Sequence, residues 1–370
     1  MKRLVLVGGG HAHVQVLKDF ADNPGVRPEV TVVTPYPRLI YTGMVPGVIA
    51  GHYRLEQCAI DVEALAQRAG ATFVQARACL VNPHARDVMC ADGGVVPYDV
   101  LSIDVGSRPL VGAARGVEQH AVPVRPLEDL MKGWGSVLAR ARAHKVTSIT
   151  IVGGGAAGVE LALAMDHRLR AELGEPSPHV RIITNTSVPL AEFGENARRR
   201  LRRHLARRNI GVHVSSTVAE VGADHVRLDT GLEFASDATF WAGGAGAQPW
   251  IRESGLATDA RGFLLTNDFM QSVTYRDVFG AGDCASQEGR EHARAGVFAV
   301  RAAPVLSANL RAMLGGGELT AFRPDARYLA LLATGPRHAV GLWNGFAWEG
   351  RWAWRWKDRI DRGFVARFAA

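Results

Sequence analysis

The chain has 370 residues, with 43 Lys and Arg against 36 Asp and Glu, giving a formal net charge of +7. A hydrophobic share of 47% and a charged share of 21% fit two or three globular domains and exclude a disordered or fibrous chain. No uninterrupted apolar run has the length of a membrane span, and Cys58, Cys79, Cys90 and Cys284 form neither a C-x-x-C pair nor a zinc-type cluster, so a cytoplasmic compartment, no disulfide framework and no metal site are expected.

In chain order, Arg3-Leu4-Val5-Leu6-Val7 is a short β-branched-rich run. Gly8-Gly9-Gly10 follows, and residues 13–20 have helical spacing. The glycines and His11 cut the apolar run too early for a signal peptide, so this reads as strand, tight turn and helix. Gly8 permits the turn. Gly10 lets the backbone approach a pyrophosphate, whose charge the free N–H groups of His11 and Ala12 and the helix dipole favour. The third position of this G-x-G-x-x-G pattern holds His13, a loss that the phosphate site can survive because that glycine serves helix–strand packing. A second strand, residues 30–33, ends at Thr34-Pro35, where an acid usually takes the adenosine ribose. Thr34 remains as a weaker hydrogen-bonding group. Arg38 is either a phosphate or adenine contact or a solvated loop arginine.

Residues 148–152, then Gly153-Gly154-Gly155-Ala156-Ala157-Gly158, then residues 159–165 repeat the design 145 positions later with the full motif. One such match is weak; two in strand–turn–helix context, with the Gly282-Asp283 turn after the strand at 277–280, are strong. Asp283 suits ribityl or ribose hydroxyls, and Gly282 allows close approach. The strand at 180–183 ends at Thr184-Asn185, without an acid or an arginine pair, which leaves NADH and NADPH both open. Residues 198–208 alternate arginines with Leu201 and Leu205 and read as an amphipathic helix with a solvated basic face. No zinc finger, helix-turn-helix or stacking platform accompanies them, so nucleic-acid binding is not expected.

The order of these motifs resembles the FAD/NAD(P) two-dinucleotide-binding-domain flavoproteins, the pyridine nucleotide–disulfide oxidoreductase superfamily. Residues 98–109 are similar to that family's strand ending in Ala-Thr-Gly-Ser-x-Pro, with Asp104-Val105 in place of Ala-Thr, and residues 237–244 to its second crossing strand. Within it, the stretches at 8–14, 41–53, 296–301 and 354–362 resemble type II NADH:quinone reductase-like flavoproteins, and more narrowly a subfamily also found fused to selenophosphate synthetase.

The resemblance implies an α/β fold with two Rossmann-like dinucleotide-binding domains. A discontinuous FAD domain would span 1–112 and 241–316, an NAD(P)-type domain 113–240, and a C-terminal segment 317–370. FAD would lie on Gly8, Gly10, His11, Ala12, Thr34 and Arg38, pass Gly106, and meet Gly282 and Asp283. The helix opening at Ala295-Gly296 would point its positive end at the flavin. Met44, in the 41–47 loop, would either lie near the ring or pack a core. Gly153, Gly155 and Gly158 would hold NADH or NADPH. Glu160 would orient the nicotinamide or relay a proton, or merely favour its helix start.

A quinone-like or other small electron acceptor is implied. The quinone-site helix of type II NADH dehydrogenases is replaced here by residues 292–298, beginning with His292. In the tail, Trp352, Trp356, Ile360, Phe364 and Phe368 recur every four residues, with Arg355, Lys357, Asp358, Arg359, Asp361 and Arg362 opposite. That face would lie on the inner surface of a membrane, on the protein itself or across a homodimer. A selenium- or sulfur-metabolism reductase and a flavin-binding sensor with a decayed nicotinamide site are the competing readings.

Overall fold

The computed structural model describes residues 1–23, 28–290 and 293–369. The architecture is α/β. A first parallel sheet runs Val278–Gly280, Val100–Ile103, Arg3–Val7, Glu29–Val33, Thr72–Val74. Its strands are near-continuous apolar runs because both faces are covered. One face packs on the helices His11–Asp22 and Gly296–Gly315 through Val14, Leu17, Phe20, Ala302, Leu306 and Leu310. The other packs Val5, Leu101 and Ile103 against Tyr98, Ile251 and a three-stranded antiparallel sheet carrying Val81 and Val88.

A second parallel sheet runs Ala121–Pro123, Ala238–Trp241, Ser148–Val152, His179–Ile183, Gly211–His213. In both sheets the strand that delivers the glycine turn is the middle one. The chain crosses between the two sheets at residues 108–109 and 245–246, which pair antiparallel.

The helix Gly296–Gly315 is long and apolar enough, by length and composition, to cross a membrane, which the reading of uninterrupted apolar runs did not register. It is tied into the fold instead. Arg311 binds Asp19 at 2.8 Å, and the buried Asn309 donates to the carbonyls of Phe269 and Thr320, each at 2.9 Å.

The C-terminal hairpin sheet, Ala330–Ala333, Ala339–Trp343 and Phe346–Gly350, leads into the helix Arg351–Ala366. Leu332, Val340 and Leu342 join the core of the second sheet, whereas Phe364 and Phe368 join that of the first. The segment thus straps the two units together. The basic helix, Glu195–Arg207, is less solvated than expected: Arg200 donates to Ala347 O at 3.0 Å and Arg203 pairs with Glu349 at 3.2 Å, so one side of it docks on the hairpin.

Candidate active site

The first glycine turn is a built cradle. A Cβ on Gly8, at φ +96°, would lie 2.3 Å from the Asp104 carbonyl oxygen, and one on Gly10 would lie 2.3 Å from the Asp104 carboxylate. The helix starts at His11 with no side-chain cap from its own Gly10. The N–H groups of Ala12 and His13 instead reach Asp104 Oδ2 at 2.8 and 3.3 Å. His13 explains how the motif survives without its third glycine. Its fully buried ring sets Nδ1 2.6 Å from Gly8 O and Nε2 2.8 Å from Ser102 Oγ. Since a carbonyl only accepts, Nδ1 donates and Nε2 accepts from the serine hydroxyl. Burial pushes its pKa down to about 4, so the ring is neutral at pH 7. The imidazole fastens the turn that glycine would otherwise pack closely.

Thr34 is buried beside Gly9 at the end of its strand. Arg38 is exposed and borders a cleft with Tyr36, Pro37, Asp61 and Glu128. Gly106 turns the chain away at φ +66°. Gly282, at φ +67°, faces Asp104 Oδ1, 2.4 Å from where its Cβ would be. Asp283 is held by Arg125 Nη1 at 2.7 Å, and its carbonyl accepts from Arg294 at 2.8 Å. Arg125 also binds Ser107 Oγ. The sequence offered no sign of Arg125, which lies far from every glycine landmark. The helix that follows Ala295 begins at Gly296, against Thr42 of the 41–47 loop. His292, part of the expected acceptor segment, falls outside the described residues.

Of its two expected places, Met44 takes the core one: it is fully buried with Tyr53 and Cys58. At the helix start, the His11 imidazole stands edge-on to Tyr41, centroids 5.5 Å apart, and its buried Nε2 has no hydrogen-bond partner among the described residues. An orphaned polar atom beside a glycine cradle fits a site that takes a polar ligand.

The second cradle repeats the first with different fittings. A Cβ on Gly153 would lie 2.3 Å from Ala242 O, and one on Gly158 2.0 Å from Gly153 O. Here the third glycine is required for close packing. Gly155 precedes the helix Ala156–Leu173, whose first N–H donates to Glu192 Oε1 at 3.1 Å. Glu192 is exposed. Thr184, the counterpart of Thr34, lies against Gly154 and hydrogen-bonds Thr186.

Between the cradles lies a proton-holding cluster. Glu160 Oε1 accepts from Ala333 N at 2.7 Å. Desolvation raises its pKa to about 7, against the nearby Lys357 and that N–H. Lys357 Nζ donates to Gly43 O at 2.6 Å and to Asp361 Oδ2 at 2.7 Å. Asp361 is buried, which raises its pKa, and Lys357 opposes the rise. Tyr41 hydrogen-bonds Asp361.

The tail therefore differs from its four-residue stripe. A helix turns 100° per residue, so i, i+4 steps drift by 40°. Phe364 and Phe368 end up buried, Trp352, Trp356 and Ile360 exposed, and Lys357 and Asp361, expected on the polar side, face inward.

All four cysteines are free. Burial pushes both Cys58 and Cys284 up to about 12, which makes them poor nucleophiles. His204, His338 and Glu349 bring ligand atoms within 4.8 Å of one another. Arg203 already pairs with Glu349 at 3.2 Å, with Arg200 and Arg208 nearby, and that positive charge opposes a dication.

Residues 2–299 match the pyridine nucleotide-disulphide oxidoreductase family. The chain is 22% identical over 315 residues to a probable NADH dehydrogenase of Dictyostelium discoideum, a match covering 79% of this chain and 69% of that protein. It is 27% identical over 301 residues to a demethylphylloquinone reductase of Synechocystis, covering 78% and 72%. Its fold is similar to that of NDH2 from Plasmodium falciparum, solved with NADH (TM-score 0.83, 15% identity, 99% of this chain and 97% of that one). It is also similar to the sulfide:quinone oxidoreductase of Aquifex aeolicus (TM-score 0.82, 18% identity, 100% and 91%). With two glycine cradles on two parallel sheets and a family match over most of its length, the chain belongs to the pyridine nucleotide-disulphide oxidoreductase family.

Proposed function

We propose that this chain is an FAD-dependent oxidoreductase that takes a hydride from NADH or NADPH and delivers electrons to a quinone-like acceptor. The observation that carries the reading is the pair of cradles, one with a fixed interior and one closed only by an exposed side chain, with the Glu160–Lys357–Asp361 cluster between them. FAD fits the first: Gly8, Gly10 and the N–H of His11 would hold its pyrophosphate, with Asp283 at the ribityl chain; the Ala12 N–H, expected free, is taken by Asp104 Oδ2. NAD(P)H fits the second, at Gly153, Gly155 and Gly158. Bound flavin would supply the two-electron relay between donor and acceptor.

The chain's own residues supply position and protons. Reducing a quinone consumes two protons. Glu160 is half protonated near neutral pH, the range in which a general acid works best. Lys357 is held between Gly43 O and Asp361, 2.6 and 2.7 Å away, so its charge stays fixed beside the 41–47 loop. The helix opening at Gly296 directs its positive end toward the same loop, where it would favour negative charge on a reduced ring. The raised thiols of Cys58 and Cys284 argue for a non-disulfide acceptor. Trp343, Phe346, Trp352, Trp356 and Ile360 are exposed together on the hairpin tip and C-terminal helix, beside Arg351, Arg355 and Arg359. This surface suits a membrane interface, where an apolar acceptor would be met.

The test is steady-state oxidation of NADH and NADPH by the purified protein with a short-chain quinone and with a disulfide as alternative acceptors. Quinone-dependent turnover supports the reading. Turnover with the disulfide alone would overturn it. Flotation with anionic vesicles tests the surface: loss of flotation in Trp352→Ser/Trp356→Ser supports membrane docking, whereas dissociation of a dimer by the same change would assign the surface to self-association.

A further inference from the structure

The first cradle contains a group that the second lacks. Gly8 and Gly153 occupy equivalent turns, and a Cβ on either would meet the carbonyl of the residue after the adjacent strand at 2.3 Å. That residue is Asp104 in the first cradle and Ala242 in the second. The Asp104 carboxylate is inserted into the phosphate turn itself. Oδ2 takes the N–H groups of Ala12 and His13 at 2.8 and 3.3 Å, and a Cβ on Gly10 or Gly282 would fall 2.3 or 2.4 Å from the carboxylate atoms. Asp104 is 3% exposed and, among the described residues, in no ion pair. Unlike Glu192 at the second helix start, it has no solvent to swing into.

An arriving pyrophosphate carries negative charge to the same helix end, which offers about half a positive charge. Two anions crowded at one site cannot both stay ionised, and one takes up a proton. The phosphates titrate far too low to do so near neutral pH. We propose that Asp104 must be protonated for FAD to seat, so that cofactor binding takes up one proton from solvent at this carboxyl, which then donates a hydrogen bond instead of repelling the phosphate.

The surroundings supply one rival. On the same helix, burial lowers both His11 and His13, but both ring nitrogens of His13 are bonded, whereas His11 Nε2 has no partner among the described residues. Proton uptake that persists in Asp104→Asn would therefore assign the proton to His11 and overturn the proposal. On the Gly282 turn, the Cys284 thiol is pushed up to about 12 and Asp283 is matched by Arg125 at 2.7 Å. Arg294 is spent on the carbonyls of Asp283 and Ala285. Burial raises Asp104 itself to about 6 before any ligand arrives, so uptake falls in the neutral range.

This inference rests on the FAD reading above, and the experiment separates the two. FAD affinity of the cofactor-stripped full chain is measured by flavin fluorescence from pH 6 to 8.5. Titration calorimetry in two buffers of different ionisation enthalpy counts the protons. The parent is expected to bind up to about tenfold more weakly for each pH unit above about 6, with close to one proton taken up. Asp104→Asn, which keeps the acceptor for Ala12 N–H, and Asp104→Ala, which copies Ala242, are expected to bind at least tenfold tighter than the parent at pH 8, with a flat pH profile and no uptake. Parent protein binding FAD with a flat profile and no proton uptake would overturn the proposal and leave the flavoprotein reading standing. Parent protein that binds no FAD at any pH would overturn that reading as well.

Discussion

The two halves of the molecule share one design, five parallel strands with the glycine turn on the central strand and the sheet's next two strands in chain order on one side of it, although the far edge strand is the last of its sheet in the first half and the first in the second. Yet they fasten that turn differently. In the first half the third motif position is a buried imidazole bonded to the Gly8 carbonyl at 2.6 Å, and a buried carboxylate lies inside the cradle. In the second the same position is a glycine with no room for a methyl group, and the carboxylate bonded to the first N–H of the helix is an exposed one. The first is an interior bonded shut around its contents, the second a surface whose plug can swing away. Under the proposed function, that difference suits a resident FAD in the first and an exchanging NAD(P)H in the second.

The comparison breaks most severely at its third position. If His13 merely tolerated the place of a glycine, His13→Gly would restore the usual motif. We expect instead a loss of about 4 kcal/mol, from the cavity, the unpaired Gly8 carbonyl and the helix-interior glycine, read as the shift in a urea unfolding midpoint. Gly158→Ala has the opposite logic. Its Cβ would lie 2.0 Å from a backbone carbonyl that no rotamer change can clear, so about 1–3 kcal/mol should be lost, together with NAD(P)H binding, while FAD content holds.

Glu160→Gln sharpens the comparison between the halves, because the residue serves the space they share. The raised carboxyl, at about 7, donates below that pH and is ionised above it, so acceptor reduction in the parent should fall as pH rises through neutrality. The glutamine variant should lose that limb and about a hundredfold in turnover, the low end of what a general acid contributes. Flavin reduction by NAD(P)H in stopped flow should be unaffected. A slowed reductive half-reaction with the pH limb intact would move Glu160 to nicotinamide orientation.

Stability carries a smaller signature. Folded Asp104 keeps its proton from the ordinary 3.8 up to about 6, a window in which the unfolded chain has lost it. The native state binds more protons there, so stability falls as pH rises through the window. Asp104→Asn should flatten that slope in thermal melts. The smallest effect belongs to Glu192→Gln, which weakens a surface plug: NAD(P)H affinity should tighten a few-fold, on the order of 1 kcal/mol, with FAD binding unchanged.

The sequence made the cradles legible because glycine spacing between a strand and a helix is a local pattern, and Thr34 and Thr184 were visible as strand ends without acids. What it did not disclose depends on contacts between distant segments. Asp104 stood out only as a departure from Ala-Thr, although an acid closing an apolar strand was itself a signal. Arg125 reaches Asp283 across 158 positions. Lys357 and Asp361 looked like a solvated face, because a four-residue stripe drifts around a helix and only the docked loop at 41–47 decides which side is inside. Met44 stayed open for the converse reason: an apolar residue in such a loop cannot be told from a core residue until its neighbours, here Tyr53 and Cys58, are known.

The most direct measurement is an anaerobic absorbance titration of the purified, FAD-loaded protein with NADH and, separately, NADPH. The account predicts that one of them bleaches the flavin band with a stoichiometry of about one donor per flavin, since each flavin accepts two electrons, and that Gly158→Ala abolishes the bleaching while keeping the flavin bound. A flavin that dithionite reduces but neither nicotinamide does would contradict the account.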